Sequence, residues 1–132
     1  MKKYFSIIFL CLYATSLPAQ STSCANGDGI EIKGINGTVY CLSRIDMNWW
    51  SAHAWCDTLS KKLIDTNIDC KCNNFTDCDT SLPCPNIYST EIRGKFLWTA
   101  NTFTEANSYA INGTNLTIDK KNKKDLGYAL CE

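Results

Sequence analysis

Two stretches of the chain alternate apolar and polar residues around an Asn-Gly pair. One is GIEIKGINGTVYCLS at residues 29–43, centred on Asn36-Gly37, and the other is NSYAINGTNLTI at residues 107–118, whose central glycine is Gly113. A period of two is typical of a strand with one buried face, and Asn-Gly readily supplies the positive φ angles of a tight turn. Each stretch therefore predicts a β-hairpin.

A helical period replaces this alternation between residues 46 and 63. Asp46 or Asn48 can cap the start of a helix, which we expect to run to about Leu63. Three of the four tryptophans of the chain lie in this segment. An inward-facing cysteine on the same face indicates that two of these rings line a core rather than a ligand platform or a membrane-active face. The apolar residues at steps of three and four, which mark one buried helical face, are Ala52, Trp55, Cys56, Leu59 and Leu63.

The remaining segments complete the predicted domain. Residues 65–86 hold four cysteines and no hydrophobic period, which predicts an irregular loop held by its own disulfides. The aromatic and β-branched residues of KFLWTANTF at 95–103 predict a strand, and DLGYALCE at 125–132 predicts the last strand. The lysines of DKKNKKD at 119–125 are bracketed by aspartates and predict a solvated turn. The elements together predict an α+β fold of short antiparallel strands with one main amphipathic helix.

The amino end has the features of an export signal. Lys2 and Lys3 precede an apolar run that is too short to span a bilayer, and small residues follow it. This pattern predicts a signal peptide over residues 1–19 and a mature domain over residues 20–132, located outside the cell, in the periplasm or at the cell surface. The mature domain has 11 basic and 13 acidic residues, so neither nucleic acid nor an anionic membrane is expected as its main partner. It contains no second apolar segment of spanning length, so membrane insertion is not expected either.

Cysteine content indicates a disulfide framework. Of the nine cysteines, Cys11 lies in the predicted signal peptide, and an even number remains in a small exported domain. Such a count predicts pairing throughout, with four bridges. The remaining cysteines are Cys24, Cys41, Cys56, Cys70, Cys72, Cys78, Cys84 and Cys131.

Neither a metal nor another cofactor is predicted. Zinc ribbons favour pairs of cysteines two residues apart, whereas Cys70 and Cys72 are separated by only one residue. The series that begins at Asp65 resembles the start of a calcium-binding loop, but Cys70 replaces its required glycine and Thr76 replaces its bidentate glutamate.

Taken together, the motifs resemble those of C-type-lectin-like domains, especially the bacterial branch. The helix has the family's spacing of Trp49, Ala52 and Cys56, and the second half contains LWTAN at 97–101 and GYALC at 127–131. The resemblance covers nearly the whole mature chain. It implies the family fold, a bridge between the helix cysteine and the last cysteine, and a second bridge across the amino-terminal hairpin.

In this sequence the implied bridges are Cys56–Cys131 and Cys24–Cys41. The family's calcium-dependent sugar binders use an EPN or QPD triplet followed by WND, and none of these strings occurs here. The resemblance therefore implies the fold without the calcium-dependent sugar chemistry.

The candidate chemistry favours binding over catalysis. The single histidine, His53, falls on the polar helix face and is expected to be solvated, and no thiol remains if all cysteines pair. We expect a non-catalytic recognition module for a glycan or protein ligand, such as an adhesin or surface-assembly component. The alternatives are a toxin or inhibitor that presents the loop at 70–84 and, less favoured, a glycoside hydrolase that uses Asp77 and Asp79. The predicted ligand-binding residues are Trp98, Asn101, Phe103, Glu105, Asn107 and Tyr109.

Overall fold

The computed structural model describes residues 24, 28–34, 37–66, 87 and 89–132. The predicted signal peptide and nearly all of the predicted cysteine-rich loop lie outside these residues. The elements in chain order are β1 (Gly29–Lys33), β2 (Val39–Met47), α1 (Trp49–Thr58), a short 3-10 turn (Thr90–Ile92), β3 (Phe96–Thr102), β4 (Asn107–Asn112), β5 (Thr117–Asn122) and β6 (Gly127–Cys131). In this part of the chain no helix is long and apolar enough to cross a membrane.

The strands form one six-stranded sheet in the order β1-β2-β6-β3-β4-β5. All neighbouring strands are antiparallel except β3 and β6, which are parallel. The predicted α+β class is therefore wrong, because the described part of the chain is a predominantly β, mixed sheet with a single helix of 10 residues. The expectation of purely antiparallel strands is wrong at the β3–β6 pair, where the last strand inserts into the middle of the sheet.

Helix α1 begins as predicted and ends early. The Asn48 side chain accepts a hydrogen bond of 2.9 Å from the backbone N–H of Ser51, which is an N-cap. The helix stops at Thr58 rather than near Leu63, because Ser60 adopts a positive φ of 55°. Leu63 then forms a β-bridge with Cys131. The helical spacing of apolar residues thus extends past the end of α1, because Leu63 is buried by the sheet and not by the helix.

Both faces of the sheet are buried. Leu97 and Leu130 point into a cluster on one face, while Trp98 and Cys131 point to the other face and pack with Cys56 of α1. This is the alternation expected of strands in the centre of a sheet. Two of the helix tryptophans, Trp49 and Trp55, pack partly against the second cluster, whereas Trp50 is 48% exposed.

Both expected bridges between described cysteines are confirmed. Cys24–Cys41 joins the residues before β1 to β2, and Cys56–Cys131 joins α1 to β6, with Cα–Cα distances of 5.3 and 5.6 Å. The other four cysteines of the predicted mature domain lie outside the described residues. Disulfides of this kind belong to an oxidising compartment.

Both predicted hairpins form, but their glycines serve different purposes. Gly37 has a φ of 86°, as expected for an Asn-Gly turn. The second turn is longer, and its positive φ of 61° falls on Leu116 instead of Gly113. Gly113 is required by space, since a Cβ atom there would overlap the backbone carbonyl of Ile92.

Removing the bridges should separate their contributions to stability. The sequence separations are 75 residues for Cys56–Cys131 and 17 for Cys24–Cys41. In the chain-entropy model the longer loop stabilises more, so C56A/C131A should lose roughly 4 kcal/mol and C24A/C41A roughly 3 kcal/mol. Urea denaturation of both double variants measures this order. A larger loss for C24A/C41A would contradict the chain-entropy account.

The two hairpin glycines give a second, matched comparison. Gly113→Ala should cost roughly 2 kcal/mol or more, because the methyl group cannot be accommodated without moving backbone. Gly37→Ala meets no neighbouring atom and should cost only about 1 kcal/mol from its positive φ. Thermal and urea unfolding of the two variants test the ranking, and an equal or smaller loss for Gly113→Ala would be inconsistent with this packing.

Candidate functional site

Four of the predicted ligand-binding residues meet at the end of the β3–β4 hairpin. Phe103 is 48% exposed, and its ring packs edge-to-face on Tyr109 with the ring centroids 5.8 Å apart. The Nζ of Lys120 lies 3.7 Å from the centre of the Phe103 ring, a cation–π contact. We call Phe103, Glu105, Asn107, Tyr109 and Lys120 the hairpin surface.

The loop that carries Phe103 is held by its own hydrogen bonds. The backbone N–H groups of Phe103 and Thr104 both donate to the carbonyl of Asn107 at 3.0 Å. The side-chain amide of Asn107 donates to the Thr104 hydroxyl, also at 3.0 Å. The β5–β6 turn fixes the loop further, because the N–H of Lys123 donates to the carbonyl of Ala106 at 2.8 Å. The exposed ring is therefore presented with little conformational entropy left to lose on binding.

The six predicted residues differ in what they can offer a ligand. Trp98 is completely buried and donates through Nε1 to the carbonyl of Met47 at 2.8 Å, so its ring belongs to the core. Tyr109 is only 6% exposed and belongs to a buried cluster, and its ring packs against that of Phe103. Phe103 and Glu105 are exposed, and Asn107 is half-buried in the turn. Their role in ligand binding stays a prediction.

Asn101 does not belong to the hairpin surface, and its side chain bonds the segment that follows α1. Its side-chain oxygen accepts hydrogen bonds from the backbone N–H and the hydroxyl of Thr66 at 2.9 and 3.0 Å. Its side-chain nitrogen donates to Asp65 at 3.4 Å. Asn101 therefore anchors the segment that follows α1.

The expectation that His53 is a solvated helix residue is wrong. Its ring meets the Trp49 ring at a centroid distance of 4.3 Å, and its Nε2 atom is buried without a hydrogen-bond partner among the described residues. Burial lowers the pKa of His53, since desolvation disfavours the charged imidazolium. Nearby Asp57 opposes this shift in the pKa, and Lys123 adds to it.

The predicted solvated turn at 119–125 is wrong in its extent, because residues 119–122 belong to β5 and only residues 123–125 form the turn. Lys123 is only 6% exposed, and its Nζ lies 4.2 Å from the centre of the Trp49 ring. The carbonyl of Lys123 accepts a hydrogen bond from the N–H of Trp49 at 3.0 Å, and Trp49 Nε1 donates to the carbonyl of Thr99 at the same distance. Trp49 thus joins the start of α1 to both β3 and the β5–β6 turn.

Other candidate chemistry lies outside the described residues. This applies to the Asp77 and Asp79 pair, to the presented loop at 70–84, and to most of the calcium-like series after Asp65. Among the residues that are described, no group of three or more His, Cys, Asp or Glu side chains is arranged to hold a metal ion.

Comparison with known proteins does not assign the chain. It matches no protein-family model and has no significant match among curated proteins or solved structures.

Lys120 was not singled out from the sequence as a site residue, and His53 was assigned to the solvated face of the helix. Lys120 is directly opposite Tyr109 in the β4–β5 register, so counting back from the second hairpin turn would have placed it beside the aromatic pair. No such signal pointed to the burial of His53, because the polar face of the helix was assumed to be hydrated.

The lowered pKa of His53 predicts a pH-dependent contribution to stability. An unfolded chain protonates histidine at about pH 6.5, whereas the folded chain protonates His53 only at lower pH. The contribution is therefore fully present above pH 6.5 and is lost as the pH falls toward the folded pKa. As the pH falls from 7.5 to 5, the unfolding free energy of the parent should decrease more than that of His53→Asn. Parallel urea-denaturation series test this, and an unchanged difference would show that His53 is not desolvated.

Proposed function

We propose that this protein is an exported, non-catalytic recognition module that binds a glycan or protein ligand through the hairpin surface. The observation that carries the proposal is the exposed Phe103 ring, supported edge-to-face by Tyr109 on a loop fixed by backbone hydrogen bonds. Rigid aromatic side chains supply large contact area at low entropic cost and are common anchors in recognition surfaces.

The charges around the ring add directional contacts. The Nζ of Lys120 lies over the face of the Phe103 ring, and Glu105 is exposed in the same loop. A partly exposed apolar ring with a cation over it and an anion in its loop suits a ligand that offers both an apolar face and hydrogen-bonding groups. Sugars have this character, as do many exposed protein loops.

The proposed relationship is to C-type-lectin-like domains that lack the calcium and sugar motifs. Support comes from the bridge between the helix cysteine Cys56 and the final strand cysteine Cys131, together with the bridge across the first hairpin. The two disulfides also support a secreted, periplasmic or cell-surface location, with residues 1–19 as the signal peptide.

The test compares two phenylalanines in similar settings. Phe103 and Phe96 are 48% and 39% exposed, and each has a lysine over its ring, but they lie at opposite ends of β3. On a glycan array, with and without calcium, Phe103→Ala should lower affinity about tenfold or more. Phe96→Ala should bind like the parent, and circular dichroism should show both variants folded.

Two outcomes would contradict the hairpin surface. One is retention of full binding by Phe103→Ala, and the other is an equal loss with Phe96→Ala. Tyr109→Ala is not a suitable binding probe, because Tyr109 is buried and its truncation should destabilise the fold itself.

A further inference from the structure

One indole ring at the start of α1 is shared by two basic side chains. The imidazole of His53 meets the Trp49 ring at a centroid distance of 4.3 Å, and Nζ of Lys123 lies 4.2 Å from the centre of the same ring. A cation over the face of a tryptophan is attracted by the negative potential of the π system. Because burial lowers the pKa of His53, Lys123 is the charged partner of this ring at neutral pH.

Lys123 is buried to a degree that is unusual for a lysine. The residue is 6% exposed, and among the described residues its ammonium has no carboxylate within ion-pair distance. Lysine is almost never fully buried unless it is paired. The Trp49 ring takes the place of a counter-ion here, which makes the position of Lys123 sensitive to any further positive charge at the same ring.

The backbone of Lys123 connects this ring to the hairpin surface. Its carbonyl accepts from the N–H of Trp49 at 3.0 Å, and its N–H donates to the carbonyl of Ala106 at 2.8 Å. Ala106 precedes Asn107, whose carbonyl accepts from the N–H of Phe103 at 3.0 Å. A continuous series of backbone contacts therefore joins the start of the helix to the loop that presents the Phe103 ring.

The charges that act on His53 come from several elements. Burial has the largest effect and lowers the pKa of His53, Asp57 one helical turn later raises it, and Lys123 of the β5–β6 turn lowers it. Among these groups, Lys123 is the one that also lies over the Trp49 ring. The other charged residues that line the cavity beside His53 belong to the segment after α1 and to the end of the chain: Lys62, Asp65 and Glu132.

We infer that protonation of His53 loosens the hairpin surface, so that its ligand is bound more weakly in acid than at neutral pH. An imidazolium brings a second positive charge to the Trp49 ring, where it repels Lys123. Displacement of Lys123 weakens its bond to Ala106 and frees the loop that carries Phe103. Histidine is the side chain whose ordinary charge change falls in this pH range, and its protonation is an established kind of switch. The inference rests on the proposed function, because it describes how the hairpin surface is regulated.

The experiment follows the loop directly and needs no ligand. The chain contains a single histidine, so its imidazole NMR signals report protonation without ambiguity. Hydrogen-exchange protection factors of the mature protein are measured above and below the midpoint of this titration. The amides of Phe103 and Lys123 should lose protection roughly threefold or more on the acid side. The amide of Gly37, which donates to the carbonyl of Gly34 in the first hairpin turn, should keep its protection.

Three variants separate the charges around the ring. His53→Gln is uncharged at every pH, so its loop should stay protected over the same range. Lys123→Met keeps an apolar stem against Trp49 without the ammonium, which should raise the pKa of His53 and remove most of the pH-dependent loss. Asp57→Asn removes a charge that favours the imidazolium and should move the loss of protection to lower pH.

The inference is wrong if Phe103 and Lys123 keep their protection while the imidazole titrates, or if His53→Gln loses protection as the parent does. An equal loss at Gly37 would also contradict it, because the whole domain would then be opening. So would an unchanged pKa of His53 in Lys123→Met. Since none of these measurements involves a ligand, this coupling and the binding role of Phe103 can fail separately.

Discussion

The position of the last strand constrains everything else in this domain. β6 lies between β2 and β3, pairs antiparallel with the first and parallel with the second, and is bridged to α1 through Cys56–Cys131. The β1–β2 hairpin and the β3–β4–β5 strands are joined into one sheet only through this carboxyl-terminal strand. Folding therefore depends on contacts between residues far apart in sequence, whose loop-closure cost must be met before their packing stabilises them.

The same strand explains why small residues occupy the space under the helix. α1 packs on β6 and β3 through Ala52 and Cys56, which face Ala129, Cys131 and Trp98 in one buried cluster. Gly127 completes this arrangement, since a Cβ atom there would lie 2.9 Å from Nε1 of Trp98. The one very large side chain of the cluster is thus accommodated by small neighbours, and its indole N–H is satisfied by Met47.

Local patterns in the sequence predicted local structure well. The alternation around the Asn-Gly pairs located both hairpins, and Asn48 was identified as a possible cap of the helix. The patterns did not reveal that β3 and β6 pair in parallel, because pairing between distant strands leaves no signature in either strand alone. They also placed the end of the helix too late, since burial of Leu63 by the sheet imitates the next turn of a helix.

The position of the hairpin surface depends on an irregularity in the β3–β4 pairing that the sequence pattern does not show. Between the pairs Trp98↔Ala110 and Thr102↔Ser108, three residues of β3 stand opposite one residue of β4, so the strand bulges. Side chains replace the missing ladder there, since Thr99 donates to the carbonyl of Tyr109 and Ser108 to that of Asn101, both at 2.7 Å. Bulges of this kind bend a strand and redirect its side chains.

On either side of the bulge, the chain of β3 contacts two different parts of the structure. Before it returns to register, the strand presents Ala100 and Asn101 toward the segment after α1, where the N–H of Ala100 donates to the carbonyl of Ile64 and the side-chain amide of Asn101 donates to Asp65. After it, the chain continues to Phe103 on the hairpin surface, against Tyr109. A regular strand would have alternated its side chains evenly between two buried faces. The irregular pairing at 99–101 therefore separates the contacts of β3 with the segment after α1 from the hairpin surface, and the buried hydroxyls of Thr99 and Ser108 supply hydrogen bonds at the bulge.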